Sequence, residues 1–163
     1  MDGYHALRRQ LVDLLRGGNA HMPFAEAVAD FPEAKINVRP PNVAYTLWHL
    51  LEHLRLAQAD ILAYLTRADY VAPEWPAAYW PAPDAEATKR DWDESVAAFD
   101  RDLEAIVAIV ADEATDLFGS VPSCADHTVL REALIVADHN AYHIGEMGAL
   151  RQVAAAWGRE HDG

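Results

Sequence analysis

Apolar residues recur at helical spacing in four long stretches of the chain, and no stretch alternates long enough to propose a strand. The first stretch predicts a helix over residues 3–16 with Leu7, Leu11, Leu14 and Leu15 inward, stopped by Gly17-Gly18. A short helical piece from Phe24 to Asp30 follows, and Pro32, Pro40 and Pro41 then mark a loop, because proline locks φ and disfavours helix just before it. The second long helix is expected from about Val43 to Arg67, where Leu47, Leu50, Leu54, Ile61 and Leu65 form one stripe. Tyr70 to Pro83 is too rich in proline for a helix or a central strand. It reads as a long aromatic loop, either an apolar cover over one end of the fold or a lid over a substrate. Asp84 then suits a helix N-cap, and the third helix runs to about Val110 with Trp92, Val96, Phe99, Leu103, Ile106 and Val110 inward. A loop through Gly119 and Pro122 leads to a fourth helix from Thr128 to Trp157, with Gly158 just past its end. Four long helices predict an all-α, antiparallel four-helix bundle with long connecting loops, in a single domain spanning residues 1–163.

The fourth helix carries His139 and His143, one turn apart, so both imidazoles leave the same face. That face also bears Val129, Glu132, Val136, Met147 and Leu150, which points the histidines into the bundle. A second pair, His49 and His53, sits on the second helix, where His53 flanks the apolar stripe and His49 lies further out. An H-x-x-x-H pair on an apolar face is compatible with two hydrogen-bonded core histidines as well as with a metal. Facing helices approach within about 8–10 Å, so His53 can complete a three-histidine set with His139 and His143. Burying three imidazoles without partners is costly, and a shared cation is one solution.

Composition narrows the classes of partner. A formal net charge of -13, with no local Lys/Arg cluster, opposes contact with a nucleic-acid backbone or an anionic membrane surface, which leaves small molecules and proteins. The N-terminal residues lack an apolar run behind a basic start, so an unexported, soluble protein is expected. One cysteine, Cys124, excludes an internal disulfide framework and suits the cytoplasm. Cys124 has no base pattern near it beyond His127, three residues on, and His5, His21, His127 and His161 lack partners at ligand spacing.

Three blocks together resemble the DinB/YfiT-like family. Leu50-Leu-Glu-His-Leu-Arg-Leu-Ala-Gln-Ala-Asp-Ile-Leu62 is similar to its second-helix block, Ala72-Pro-Glu-Trp-Pro-Ala-Ala-Tyr-Trp-Pro81 to a connecting loop of one branch, and Ala137-Asp-His-Asn-Ala-Tyr-His-Ile-Gly-Glu146 to its fourth-helix block. The resemblance implies a four-helix bundle with a metal held by three histidines, here His53, His139 and His143. It leaves His49 without a place, open to ligand exchange or a supporting role. For activity it implies a thiol-dependent S-transferase or isomerase, or a metal-dependent hydrolase. The corresponding reading is a metalloenzyme using Zn²⁺ or Ni²⁺ on a small electrophilic substrate, with a low-molecular-weight thiol as a potential cosubstrate. Glu146, one turn beyond His143, is the candidate catalytic residue, as a partner of the histidine or a general base; a solvated glutamate is the alternative. Against this stand a binding or stress protein with a structural or sensory metal, and a bundle without metal.

The other face of the fourth helix carries Leu134, Ala137, Ala141, Gly145 and Gly148, small residues that admit a close neighbour, either another helix of the same chain or its own copy in a second subunit. Two-fold dimers dominate soluble homo-oligomers, so a homodimer is expected. Light scattering tests it: a mass near 18.1 kDa at micromolar concentration refutes the dimer, and Gly145→Arg should split a genuine one.

Overall fold

The computed structural model describes residues 3–157. Its elements are helix α1 (Gly3–Arg16), short helix α2 (Phe24–Val28), helix α3 (Leu47–Thr66), helix α4 (Lys89–Ala111), strands β1 (Ser120–Val121) and β2 (Cys124–Thr128), and helix α5 (Val129–Val153). The chain is thus mostly helical, as the periodicity predicts. Helix α3 lies between α4 and α5, and α1 packs on the same two helices. Along α3, His53 meets His139, Gln58 meets Asn140, and Tyr64 meets His127 just ahead of α5, so α3 and α5 run in opposite directions. Among the described residues, no helix is long and apolar enough to cross a membrane.

The predicted stripes form the core. Leu47, Leu50, Phe99, Ile106 and Val110 are fully buried, and Trp92, Val136 and Met147 nearly so. Leu14 departs from the expectation: it is 46% exposed, while Leu11 and Leu15 carry the inner face of α1. Phe24 stacks on Phe99 at 3.9 Å and Phe31 on Trp92 at 4.0 Å, which seats α2 and the following loop against α4.

Three helix boundaries differ from the sequence expectation, each for a reason of hydrogen bonding. Helix α3 begins at Leu47 rather than near Val43, because Thr46 is its N-cap and the preceding loop supplies acceptors: Leu47 N–H donates to Val38 O at 3.3 Å and Trp48 N–H to Ile36 O at 3.0 Å. Asp84 does not cap α4. Thr88 does, in a capping box where its hydroxyl accepts the Asp91 N–H at 3.2 Å and the Asp91 carboxylate accepts the Thr88 N–H at 2.8 Å. The Thr88 hydroxyl, which donates to the same carboxylate at 2.7 Å, and this backbone N–H together hold the Asp91 carboxyl below its ordinary range.

Helix α5 stops at Val153, short of Trp157. Ala155 takes a left-handed φ of 49°, and the chain folds back so that Trp157 Nε1–H donates to Gly148 O at 3.2 Å. Gly158 lies outside the described residues. At the other end of the chain Gly17 and Gly18, with φ of 71° and 82°, terminate α1 as glycines do after a last helical turn.

The sequence proposed no strand, yet β1 and β2 form a small antiparallel hairpin with Ser120 opposite Thr128 and Val121 opposite Cys124. Thr128 ends the hairpin and caps α5 through its hydroxyl, which accepts the Arg131 N–H at 3.2 Å. Of the small-residue strip on α5, Ala137 is buried and Gly148 is covered from within the chain, since a Cβ there would meet Met22 Cε at 2.8 Å. Gly145 faces open space.

Arg151 joins the two ends of the fold. Only 1% exposed, it donates to Ala27 O at 2.8 Å and Ala156 O at 3.0 Å and lies over the Trp157 ring at 3.8 Å. Arg151→Ala strands both carbonyls and removes this packing. Urea unfolding should show a loss of about 3 kcal/mol.

Candidate metal centre

His53, His139 and His143 come together where α3 faces α5. Each offers a ring nitrogen, and these three atoms lie within 4.8 Å of one another. The convergence follows from the local helices: His53 borders the apolar stripe of α3, and His139 and His143 leave α5 one turn apart. His53 is 4% exposed and the His143 side chain 13%.

The tautomers follow from the partners. His53 Nδ1 lies 2.8 Å from Tyr79 O, a carbonyl that only accepts, so the proton is on Nδ1 and Nε2 presents a lone pair. His143 Nδ1 lies 2.7 Å from Glu146 Oε2, which likewise turns its Nε2 into the cluster. His139 Nε2 lies 3.3 Å from His53 Nε2. Burial, the His143 ring and the His53 ring together push His139 down to about 4, and burial also lowers His53. Both rings are therefore neutral at pH 7, the form that ligates a cation. A donor set of three imidazole nitrogens, with the far nitrogens of His53 and His143 already anchored, fits a borderline divalent ion with room for a further ligand.

His49, the histidine without an assigned place, is a structural residue of the helix terminus. Its Nδ1 accepts the Thr46 N–H at 3.2 Å, closing a capping box, and its Nε2–H donates to Ala85 O at 3.0 Å. With both nitrogens engaged it has no lone pair for a metal.

Glu146 is not solvated freely: besides holding His143, it accepts a hydrogen bond from the Tyr45 hydroxyl through its other oxygen. Burial and this carboxylate keep the Tyr45 phenol protonated. Asp138 and Tyr142 lie at the surface, as expected, although Tyr142 sets its ring edge-on to His143 at 4.8 Å.

The aromatic loop reaches this site. Besides lending the Tyr79 carbonyl, it stacks Trp80 on His53, with ring centroids 3.9 Å apart and planes 4° from parallel, and Trp80 touches Tyr45 at 5.0 Å. The loop is tied to α3 by Asp60, whose carboxylate accepts hydrogen bonds from Tyr70 at 2.8 Å and Tyr79 at 2.7 Å. Its outer side stays open, with Val71 and Trp75 mostly exposed. Tyr45, Tyr79, Trp80 and Asp60 were not singled out by the sequence; the density of aromatics in 70–83 was the only local signal. Cys124 lies away from the cluster, beside Tyr64, whose hydroxyl lowers the thiol's pKa.

The two histidines of α3 should separate in mutagenesis. His49→Ala should lower stability by about 1 kcal/mol through loss of its cap while leaving metal content unchanged. His53→Ala should abolish metal uptake. Elemental analysis paired with denaturant unfolding reads both.

No curated protein and no solved structure matches the chain. A family model does: the DinB superfamily model matches residues 19–147, a span that includes all three histidines, the aromatic loop and Glu146. With that match covering most of its length, the chain belongs to the DinB superfamily.

Proposed function

We propose that this protein is a metalloenzyme built on an antiparallel four-helix bundle, with His53, His139 and His143 as ligands of one divalent ion and a small electrophile as substrate. The observation that carries the reading is the set of three imidazoles whose candidate ligating nitrogens converge within 4.8 Å. His53 and His143 hold Nε2 toward the centre by giving their Nδ1–H groups to Tyr79 O and Glu146. The occupation of both His49 nitrogens supports an open site, because the nearby residue able to close it as a fourth ligand is committed elsewhere. Zn²⁺ or Ni²⁺ fits the donor set, and such an ion supplies Lewis acidity that makes a bound water or thiol nucleophilic near neutral pH.

The chain's own groups then divide the remaining work. Glu146 holds His143 in register and is itself held by Tyr45; a general-base role would require it to release one of these partners. Trp80 and Tyr79 shield the His53 side from water, and the exposed Tyr142 edge borders the His143 side. The family resemblance favours thiol transfer over hydrolysis, with a low-molecular-weight thiol as cosubstrate. The same proposal places the protein in the cytoplasm as a homodimer joined through the open part of the α5 strip around Gly145.

Purified protein should carry about one divalent ion per chain, with His139→Ala and His143→Ala both depleted. A screen of the loaded protein against small electrophiles with glutathione, bacillithiol, mycothiol or water should find turnover that disappears on chelation. Turnover surviving complete metal removal refutes the mechanism. Stoichiometric metal without turnover in any combination favours a binding protein.

A further inference from the structure

Beneath the histidines, a chain of amides crosses the core from α4 to α5. Gln58, 1% exposed on α3, reaches the Phe99 carbonyl at 2.7 Å, and that carbonyl can only accept, so the Gln58 amide nitrogen points there. Gln58 Oε1 therefore faces Asn140 and takes its Nδ2–H at 2.9 Å. This settles the orientation of Asn140 in turn: its Oδ1 is the atom left over. Asn140 is 4% exposed, and Oδ1 is buried with no partner in hydrogen-bond geometry. An orphaned buried amide oxygen costs on the order of 1–3 kcal/mol, so its persistence asks for a donor.

The His139 ring, next along α5, is the candidate source of that donor. His53 carries its proton on Nδ1, so the 3.3 Å contact between the two Nε2 atoms puts the shared proton on His139 Nε2. A neutral His139 in that tautomer has a bare Nδ1. Offering Nε2 to a cation requires the other tautomer, with the proton on Nδ1 and an acceptor to receive it. The Tyr79 carbonyl serves His53 in this way and Glu146 serves His143. The Asn140 side chain is close enough to the His139 ring to raise that imidazole's pKa slightly against the larger effect of burial, without a hydrogen bond of ordinary geometry at Oδ1.

Building on the metal-site reading above, we propose that Asn140 is a positioning residue for the centre: its Oδ1 accepts the Nδ1–H of His139 in the metal-ligating tautomer. The proton relocates from Nε2 to Nδ1 of a neutral ring, so the imidazole carries no net charge before or after. The relay Phe99 O, Gln58, Asn140, His139 thereby lets α4, which contributes no ligand, set the direction of the third one.

The test uses the full chain and Zn²⁺ alone, with affinity measured by chelator competition and the His139 tautomer by two-bond ¹H–¹⁵N correlation spectra. Wild type should show Nε2–H at His139 without metal and a slowly exchanging Nδ1–H with Zn²⁺. Asn140→Asp keeps an acceptor but loses the donor to Gln58; it should be less stable and yet bind Zn²⁺ at least as tightly as wild type. Asn140→Leu keeps the volume without the acceptor, and its affinity should fall roughly 10- to 100-fold. Undiminished affinity in Asn140→Leu, or a rapidly exchanging Nδ1–H in loaded wild type, overturns the inference while leaving the three-histidine site intact. Failure of wild type to bind Zn²⁺ overturns both.

Discussion

The constraint on which the site depends is the cost of burying imidazoles between two apolar helix faces. A ring nitrogen without a partner there forfeits its hydration and gains nothing, so every nitrogen has to be assigned. His53 meets this with a backbone carbonyl from a loop 26 residues on, and His143 with a carboxylate one turn along its own helix. These assignments shape the surroundings. The 70–83 loop must lie where Tyr79 O reaches His53, Asp60 holds it there through two tyrosine hydroxyls, and Trp80 consequently covers the His53 ring. The contrast with His49 is instructive, since the same residue type four positions earlier is consumed by the helix terminus and faces Ala85.

The same demand governs the polar groups elsewhere in the core. Two buried arginines close helix C-termini on other elements: Arg8 donates to Val110 O and to Thr115 O after α4, and Arg151 donates to Ala27 O at the end of α2. Both guanidinium groups lie over aromatic rings, Tyr4 for Arg8 and Phe31 for Arg151. Gln58 behaves likewise, spending its amide on a helix carbonyl of α4. Such side chains tie α1 and α3 to α4, and α5 to α2, at points where hydrophobic contact alone would leave backbone acceptors dry.

Family membership and site geometry bear on different questions. Membership in the DinB superfamily accounts for the helical fold, and the histidine cluster accounts for a site able to take a metal. Under the proposed function, the substrate is decided by what fits beside Trp80, Tyr45 and Tyr142. Those residues belong to a loop, a segment before a helix and an exposed helix position, the places where chemistry diverges on a shared scaffold.

The sequence by itself determined the parts that depend on neighbours within a turn or two. The apolar stripes of α3 and α4, the glycine stop after α1 and the shared face of His139 and His143 all follow from the 3.6-residue period, and His53 follows from its place beside the Leu47, Leu50, Leu54 stripe. Tertiary structure decided whatever needed a partner far along the chain. Thr46 and Thr88 cap α3 and α4 because each hydroxyl accepts the N–H three residues on, and before α3 the loop also supplies acceptors for Leu47 and Trp48. The β1–β2 hairpin is too short for an alternating pattern, Leu14 lost its place inside because α1 turns Leu11 and Leu15 to its neighbours, and α5 ended early because Arg151 captured Ala156. Tyr45, Trp80 and Asn140 acquired their roles in the same way: a hydrogen-bond acceptor or a stacking face has no periodicity, and its function exists only once another element is brought within about 3–4 Å of it.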